Sequence, residues 1–220
     1  MKKDPNLRIY LIRHGETENS ARVCFNGHHD VPLSPQGKDQ IRQVAQSLKT
    51  VTLDAVYSSD LIRARESAEI ISGFQDNLQP VPCKQLREIS FGAWEGLSVE
   101  EVQRRYPGQF DKKFRDIATF QVEGGETFQD VRDRVLPKFD EIRKAHSRGQ
   151  VALVVHGGVI RIILAQILSI PLQNLFRISQ DYAAVNIIQY YGNDPVVELM
   201  GGAFPKFSSA LPPDKKIAIQ

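Results

Sequence analysis

The stretch Arg8-Ile9-Tyr10-Leu11-Ile12 is followed directly by Arg13-His14-Gly15-Glu16-Thr17. The first five residues form a short, mostly apolar run that predicts a buried β-strand. This strand delivers an arginine and a histidine to its own carboxyl end. In open α/β sheets, ligands bind in the crevice beyond the carboxyl ends of the strands. The stretch therefore predicts an α/β sheet with a binding pocket at its edge.

A second stretch repeats this arrangement in the C-terminal half. Residues 151–155 are uniformly apolar and are followed by His156-Gly157-Gly158. A continuous apolar run of this length is typical of a strand that is buried on both faces. Since both strands end at a histidine followed by a glycine, we expect two imidazoles to face one pocket.

Helical and strand patterns alternate along the rest of the chain. Ser34-Pro35 predicts a helix N-cap followed by proline at the first helical position, and residues 55–58 predict another buried strand. Asp60 is expected to cap the helix after that strand, and Thr127 with Asp130 forms a capping-box variant. Three helices carry apolar stripes, which are Ile41, Val44, Ala45 and Leu48; Ala64, Ala68 and Ile71; and Phe128, Val131, Val135, Phe139 and Ile142.

The order of these elements predicts the fold. A buried helix is expected over residues 159–168, and two more strands over 184–190 and 196–200. The alternation predicts an α/β fold, a three-layer α/β/α arrangement in which a mainly parallel central sheet has helices on both faces. We expect a single domain over residues 1–200, with the segment of about 85–126 inserted over the pocket, and a C-terminal tail over 201–220.

Composition limits the classes of function. The chain has 220 residues, of which 41% are hydrophobic, so it is long enough to bury a core. A net charge of +2, from 28 basic and 26 acidic residues, predicts neither a nucleic acid partner nor a membrane partner. Cys24 and Cys83 make no disulfide framework and no thiolate metal cluster. Together with the lack of a signal-peptide pattern after Met1-Lys2-Lys3, they predict a cytoplasmic location.

Local placement of arginines predicts an anion site instead. Arg13 precedes His14, and Gly15 allows the backbone to approach a ligand closely. Guanidinium groups bind phosphate oxygens in a bidentate manner. Arg63 lies in the first predicted turn of a helix, where free N–H groups and the helix dipole attract anions. His14 is therefore interpreted as a nucleophile or phosphate ligand rather than a structural histidine.

Several other polar residues leave alternatives open. Glu88 and Glu95 compete for the role of an acid, although a surface carboxylate is the ordinary interpretation of each. His28-His29 raises a metal-site hypothesis, but adjacent side chains point in different directions, which favours a solvated turn. Arg161 follows His156 by about one helical turn and is a candidate ion-pair partner.

The segment of about 85–126 contributes two kinds of candidates. Arg104-Arg105 and Lys112-Lys113 belong to a segment that covers the pocket, so they are candidate anion ligands, although a solvated helix face is favoured. Phe91 and Trp94 are expected to lie in the core or in the pocket wall.

The motif Arg13-His14-Gly15-Glu16-Thr17 resembles the signature of the histidine phosphatase superfamily, the phosphoglycerate mutase-like family. The segments around Arg63, Glu88 and His156 match the other three catalytic blocks in order and approximate spacing. The blocks around Glu88 and around Gly124-Gly125-Glu126-Thr127 are similar to the phosphatase branch, which includes α-ribazole phosphatases and broad-specificity phosphatases. The resemblance covers residues 7–200 and implies a phosphoglycerate mutase-like fold.

The resemblance also implies roles for individual residues. His14 would be the nucleophile that forms a phosphohistidine, and Glu88 the proton donor. Many members of the family carry asparagine where this chain has Ser20, with Asn19 one position early. The implied catalytic residues are His14, Glu88, Arg13, Arg63 and His156. The implied phosphate-binding or substrate-binding residues are Arg13, His14, Thr17, Ser20, Asn26, Gly27, Arg63, His156 and Gly157.

The resemblance implies a phosphomonoester hydrolase that acts on a small phosphorylated metabolite and needs no metal and no cofactor. One alternative is a phosphoglycerate mutase, which would return the phosphoryl group from the histidine to a product. A less favoured alternative is a non-catalytic protein that binds phosphorylated ligands. A homodimer formed through edge strands is a further expectation.

Overall fold

The computed structural model describes residues 5–76 and 78–202. Within them lies one sheet of six strands, which are β1 (Leu7–Arg13), β2 (Ala55–Ser59), β3 (Val81–Cys83), β4 (Gly149–Val155), β5 (Val185–Tyr191) and β6 (Asp194–Gly202). The spatial order is β3-β2-β4-β1-β5-β6. Strands β3, β2, β4 and β1 are parallel, whereas β5 is antiparallel to β1, and β6 to β5. The expected parallel sheet is confirmed, with an antiparallel pair added at one edge.

The described α-helices are α1 (Pro35–Leu48), α2 (Ile62–Ser72), α3 (Val99–Arg105), α4 (Gln109–Arg115), α5 (Phe128–Ala145) and α6 (Gly157–Ile167). Short 3-10 helices span Lys84–Leu86, Gly92–Trp94 and Leu172–Arg177. The hydroxyl of Ser34 accepts from the Gly37 N–H, and Thr127 with Asp130 forms a reciprocal capping box, as predicted. None of the described helices is long and apolar enough to span a bilayer.

Alternation along the central strands places apolar side chains on both faces of the sheet. Leu7, Ile9 and Leu11 of β1 pack with α5 and α6 on one face, whereas Tyr10 and Ile12 pack with α1 and α2 on the other. The sheet is therefore covered on both sides, and the three-layer arrangement is confirmed. Because α6 begins directly after β4, its first residues lie at the carboxyl edge of the sheet.

The cap of α2 differs from the expectation. Its N-cap is Leu61, and the Ile62 N–H donates to the carboxylate of Asp30 at 2.7 Å. Asp60 instead accepts two hydrogen bonds from Arg87, each at 2.7 Å. A carboxylate from a distant loop thus takes the place of the local cap, and the prediction of Asp60 as the cap was wrong.

The segment of about 85–126 contains α3, α4 and a small core of its own. That core is built on the fully buried Trp94 with Val102 and Val122. Phe91 is half-buried and packs against it, so the interpretation of both aromatic residues as core or wall is confirmed. At the other end of the chain, β6 continues to Gly202, two residues beyond the predicted strand. Residues 203–220 of the expected tail lie outside the described residues.

Candidate active site

The carboxyl ends of β1 and β4 bring two histidines together. These strands pair in parallel with Arg13 opposite Val155, so His14 and His156 follow at the same level. Their ring centroids are 5.1 Å apart, with the rings in an edge-to-face arrangement. The two imidazoles therefore lie side by side, as expected, while their facing one pocket stays a prediction.

The hydrogen bonding of His14 fixes its tautomer. Its Nδ1 lies 2.7 Å from the carbonyl oxygen of Gly15, and since a carbonyl only accepts, Nδ1 is the donor. Burial lowers the pKa of His14 well below its usual value, and the guanidinium groups of Arg63 and Arg13 lower it further. The imidazole is therefore neutral near pH 7, with its lone pair on Nε2.

Arg63 is a buried cation that loop carbonyl groups hold in place. It is only 2% exposed, and it donates to the carbonyl oxygens of Gly27 at 2.6 Å and His29 at 3.1 Å. Burial lowers its pKa, an effect that the nearby Glu88 carboxylate opposes. Arginine has five N–H groups, so these two bonds orient the guanidinium and leave donors for a ligand.

Arg13 is positioned by residues that sequence patterns did not indicate. Its Nη1 donates to the carbonyl oxygen of Gln180 at 2.6 Å, and its guanidinium lies 4.2 Å from the ring centroid of Tyr182. The Tyr182 ring is also 5.7 Å from that of His14. Ala183, the next residue, has a φ of 57°, a backbone conformation that residues other than glycine rarely adopt. No motif surrounds Tyr182, and only the antiparallel pairing of β5 with β1 brings it to the site.

His156 differs from His14 in having no bonding partner. It is fully buried, and neither ring nitrogen has a hydrogen-bond partner in the part of the chain that the structure describes. An unsatisfied buried polar group costs about 1–3 kcal/mol, so such a group is a candidate for a ligand contact. Burial, followed by Arg63 and His14, lowers the pKa of His156 well below its usual value. A neutral imidazole offers one donor and one acceptor.

Glu88 is held at the amino terminus of α6. Its Oε2 accepts from the Gly158 N–H and its Oε1 from the Ile89 N–H, each at 2.9 Å. A Cβ at position 158 would collide with Oε1, so only glycine allows the carboxylate to approach the helix this closely. The carboxylate is half-buried.

Arg134 of α5 fixes the segment that carries Glu88. Its guanidinium makes a bidentate ion pair with Glu126, at 2.7 and 2.8 Å. Its other donors reach the carbonyl oxygens of Gln85 and Arg87 at 2.8 Å and of Glu88 at 2.9 Å. All five N–H groups of an arginine are thereby used. Arg134 was not singled out from the sequence, since its partners lie at least eight residues away and no local pattern encodes them.

Glu95, the other candidate for the acid, binds backbone N–H groups of a loop. The carboxylate of Glu95 accepts from the backbone N–H groups of His28 at 2.8 Å and of His29 and Phe91 at 2.7 Å. Glu95 thus holds the backbone of a loop. Nε2 of His28 lies 3.0 Å from the carbonyl oxygen of Glu88, while His29 is exposed. Across residues 5–76 and 78–202, no group of three or more His, Cys, Asp or Glu side chains is arranged to hold a metal ion.

Two asparagines form a reciprocal pair beside the signature motif. The amide of Asn19 donates to Asn26 at 2.7 Å and accepts from it at 2.8 Å. The buried hydroxyl of Thr17 donates to the same Asn19 oxygen at 3.0 Å. Ser20 joins this turn through its backbone N–H, which donates to the Thr17 carbonyl at 3.0 Å. Asn19, rather than Ser20, therefore contributes a side chain to this network.

Two glycines of the predicted set lie against charged side chains. Gly27 is required by close packing, because a Cβ there would collide with Glu95 Oε1 and with the carbonyl oxygen of Ile89. A Cβ on Gly157 would lie 2.9 Å from Nη1 of Arg161, so the end of that side chain would have to shift. Both positions allow charged side chains to approach the backbone.

Two basic residues have surroundings that the sequence did not determine. Nε of Arg161, whose role the sequence left open, donates to the carbonyl of Ile178 at 2.8 Å, and its guanidinium lies 5.2 Å from the Phe176 ring centroid. Lys113 was expected on a solvated face, and this was wrong: it is 4% exposed, because α4 turns it towards aromatic residues of the segment 85–126. Its neighbour Lys112 is exposed as predicted, as are Arg104 and Arg105.

Comparisons with known proteins agree with this geometry. Residues 9–202 match the Histidine phosphatase superfamily (branch 1). Phosphoserine phosphatase 1 of Hydrogenobacter thermophilus is 31% identical over 83% of this chain and 86% of that protein. Glucosyl-3-phosphoglycerate phosphatase of Mycolicibacterium vanbaalenii is 35% identical over 76% of each chain. The solved structure of Bacillus stearothermophilus YhfR superposes with a TM-score of 0.84 at 31% identity, covering 89% of this chain and 96% of that one.

Proposed function

Because the chain belongs to the histidine phosphatase superfamily, we propose that it hydrolyses phosphomonoesters through a phosphohistidine on Nε2 of His14. The observation that carries this proposal is the bond from Nδ1 of His14 to the Gly15 carbonyl. That bond leaves the lone pair of a neutral imidazole on Nε2, where it can attack phosphorus in line. A covalent intermediate divides one difficult step into two easier ones.

Arg13, Arg63 and His156 are proposed to bind the phosphoryl oxygens. Phosphoryl transfer spreads negative charge over the equatorial oxygens, so positioned cations and donors supply most of the catalysis. Both guanidinium groups are largely withdrawn from water, and this strengthens their interaction with an anion. The unpartnered ring of His156 would gain its hydrogen bond from the same group.

Glu88 is proposed to move the protons. In the first step Nε2 of His14 bonds to phosphorus, the P–O bond to the alcohol breaks, and the leaving oxygen takes the proton of Glu88. In the second step water attacks phosphorus and gives a proton to the Glu88 carboxylate as the P–N bond breaks. Phosphate leaves, and His14 is again neutral. The chemistry matches general acid and base catalysis by one carboxyl group.

The other predicted phosphate-binding residues are proposed to contact the phosphate through backbone or amide N–H groups. The N–H of Gly157 belongs to the amino terminus of α6, where backbone donors and the helix dipole favour an anion. We propose that Asn26, oriented by Asn19 and Thr17, supplies an amide donor on the same side. Asn19 would then take the place of the asparagine that many family members carry at the position of Ser20.

A small phosphorylated metabolite is the proposed substrate class. Two relatives are named for phosphoserine and for glucosyl-3-phosphoglycerate, which supports this class. A cytoplasmic location and a homodimer remain predictions.

The test is release of inorganic phosphate from phenyl phosphate in the presence of EDTA. The wild-type protein is expected to release phosphate, and His14→Ala is expected to release none while keeping the wild-type circular dichroism spectrum. His29→Ala, which changes an exposed histidine of the loop, is the matched control. Turnover that persists in His14→Ala would overturn the proposal. Conversion of 3-phosphoglycerate to 2-phosphoglycerate faster than phosphate release would favour the mutase alternative.

A further inference from the structure

Helix α6 carries an arginine, Arg161, whose side chain extends back to the amino terminus of the helix. Side chains of a helix lean towards its N-terminus, and residues four apart lie on one face. Nη1 of Arg161 accordingly lies 2.9 Å from where a Cβ on Gly157 would stand, and Nε of Arg13 lies 3.6 Å from the same point. The two guanidinium groups therefore flank the first residue of α6, where the phosphate is proposed to bind.

This place is electrostatically unfavourable for Arg161 in the free protein. A cation beside a helix N-terminus opposes the helix dipole, and Arg13 is a second cation nearby. Burial lowers the pKa of Arg161; the Glu88 carboxylate opposes this shift, and Arg13 adds to it. Within the part of the chain that the structure describes, Arg161 has no carboxylate partner. Stability alone therefore does not explain an arginine at this position.

The hydrogen bond of Arg161 leads to the segment that holds Arg13. Its Nε donates to the carbonyl oxygen of Ile178 at 2.8 Å. Two residues later, the carbonyl oxygen of Gln180 accepts from Nη1 of Arg13 at 2.6 Å. The segment 178–182 thus binds one guanidinium at its start and the other at its middle.

The far end of the segment 178–182 is fixed by other contacts. The side-chain amides of Gln180 and Asn186 exchange two hydrogen bonds, at 2.8 and 2.9 Å. Asn186 also donates to the carbonyl oxygen of Leu11 in β1 at 3.1 Å, and the Tyr182 ring centroid lies 4.2 Å from the Arg13 guanidinium. The hydrogen bond of Arg161 adds a link from the near end of the segment to α6.

We propose, resting on the phosphatase function proposed above, that Arg161 is a positioning residue that aligns Arg13 with the phosphoryl group through the segment 178–182. Helix α6 begins directly after His156. One helix would then orient two of the proposed phosphate ligands, the imidazole directly and the guanidinium of Arg13 through the segment. Donors that are held in place before the reaction stabilise the transition state without reorganising during it.

The proposal predicts a loss that does not depend on the leaving group. Arg13 is proposed to bind the phosphoryl oxygens, which every phosphomonoester carries. A misaligned Arg13 should therefore affect alkyl and aryl phosphates alike, and it should weaken the binding of inorganic phosphate. A general loss of folded protein would lower the measured rate but would leave the Kd for phosphate unchanged.

The first test is Arg161→Met, which keeps an unbranched side chain but removes the bond to Ile178. The Kd for inorganic phosphate, measured by calorimetry, is expected to rise by about 10-fold or more, since misplacing a binding group by about 1 Å can cost about 100-fold. The kcat/KM should fall by a similar factor for glycerol 3-phosphate and for p-nitrophenyl phosphate. Arg177→Met, at an exposed arginine next to Ile178, is the matched control and should keep the wild-type values. An unchanged Kd in Arg161→Met would overturn the inference.

The second test is a double-mutant cycle of Arg13→Met and Arg161→Met. If Arg161 acts only through Arg13, the double variant should have the Kd and the kcat/KM of Arg13→Met, because no guanidinium remains to be aligned. Additive losses would overturn the inference, since Arg161 would then act on the phosphate independently of Arg13. If Arg161→Met does not fold, Arg161→Lys is used in the same cycle, because lysine keeps the charge but lacks the planar guanidinium.

The two proposals fail in different ways. If the wild-type protein hydrolyses phenyl phosphate and Arg161→Met binds phosphate as the wild type does, only the role of Arg161 is wrong. If the wild-type protein hydrolyses no phosphomonoester, the phosphatase function itself is wrong, and the calorimetric cycle still tests whether Arg161 aligns Arg13 for an anion.

Discussion

His14 and His156 lie side by side, but hydrogen bonding gives them different chemistry. The Gly15 carbonyl holds the proton of His14 on Nδ1, whereas His156 keeps both nitrogens free of partners within the described residues. One ring is thus prepared to attack and the other to donate to an oxygen. Glu88 completes the set, because two backbone N–H groups fix its carboxylate.

The substitution Glu88→Gln tests the assignment of Glu88 as the acid. Glutamine keeps an acceptor for the Gly158 N–H but has no acidic proton to give. We expect kcat/KM, which reports the first step, to fall by about 10²–10⁴-fold for an alkyl phosphate such as glycerol 3-phosphate, the usual contribution of general acid catalysis. The kcat/KM for p-nitrophenyl phosphate, whose leaving group needs no proton, should be affected much less, whereas its kcat should fall because the second step loses its base. Equal losses of kcat/KM for both substrates would contradict the role of Glu88 as the acid.

Helix α5 positions the proposed proton donor without contacting the substrate itself. Arg134 ties the backbone of the segment 85–88 to Glu126, so the helix determines where the carboxylate of Glu88 lies. The ion pair of Arg134 and Glu126 is partly exposed, with 21% and 23% of the two side chains accessible. Such a pair contributes little to stability, so its main effect is to hold the segment in place. Arg134 is therefore a positioning residue.

The substitution Arg134→Met tests whether Arg134 positions Glu88. Loss of the five hydrogen bonds should release the segment 85–88 and lower kcat/KM for alkyl phosphates by about 10-fold or more, with a smaller effect on kcat/KM for p-nitrophenyl phosphate. The reason is that Arg134 acts on the proton donor, while the phosphate ligands remain in place. Arg132→Met, on the same helix and paired with the exposed Asp133, is the control. A purely structural role would lower kcat/KM for both substrates equally.

For the whole molecule, two buried neutral histidines make stability depend on pH. Their pKa values are lowered in the folded protein, whereas in the unfolded chain they return to about 6.5. Below that pH the unfolded state binds more protons, so acid favours unfolding. Above pH 6.5 this contribution to stability is fully present.

We therefore expect the free energy of unfolding, measured by urea titration without phosphate, to fall as pH decreases below 6.5. The limiting slope is about 1.4 kcal/mol per pH unit for each histidine. His156→Asn should reduce the slope of this pH dependence, and His29→Asn, at an exposed position, should leave it unchanged. A wild-type slope in His156→Asn would contradict the account.

Sequence patterns predicted the parts of the molecule that are encoded locally. The apolar run before each His-Gly forms a strand, the two histidines lie side by side, and the capping box of Thr127 is found where its spacing places it. Contacts between distant segments were not predictable. Asp30 replaced the local cap of α2, and Tyr182 reached Arg13 through strand pairing. Lys113 became buried because rings of the segment 85–126 and the Phe128 ring of α5 meet around it.

The most direct measurement is the identification of the covalent intermediate. The protein is mixed with p-nitrophenyl phosphate, quenched in alkali to preserve a phosphoramidate bond, and digested for mass spectrometry. We predict a phosphoryl group on His14 in the wild-type protein, a larger fraction of it in Glu88→Gln, and none in His14→Ala. A protein that turns over substrate while no phosphate appears on His14, or one that carries it on another residue, would contradict the central claim.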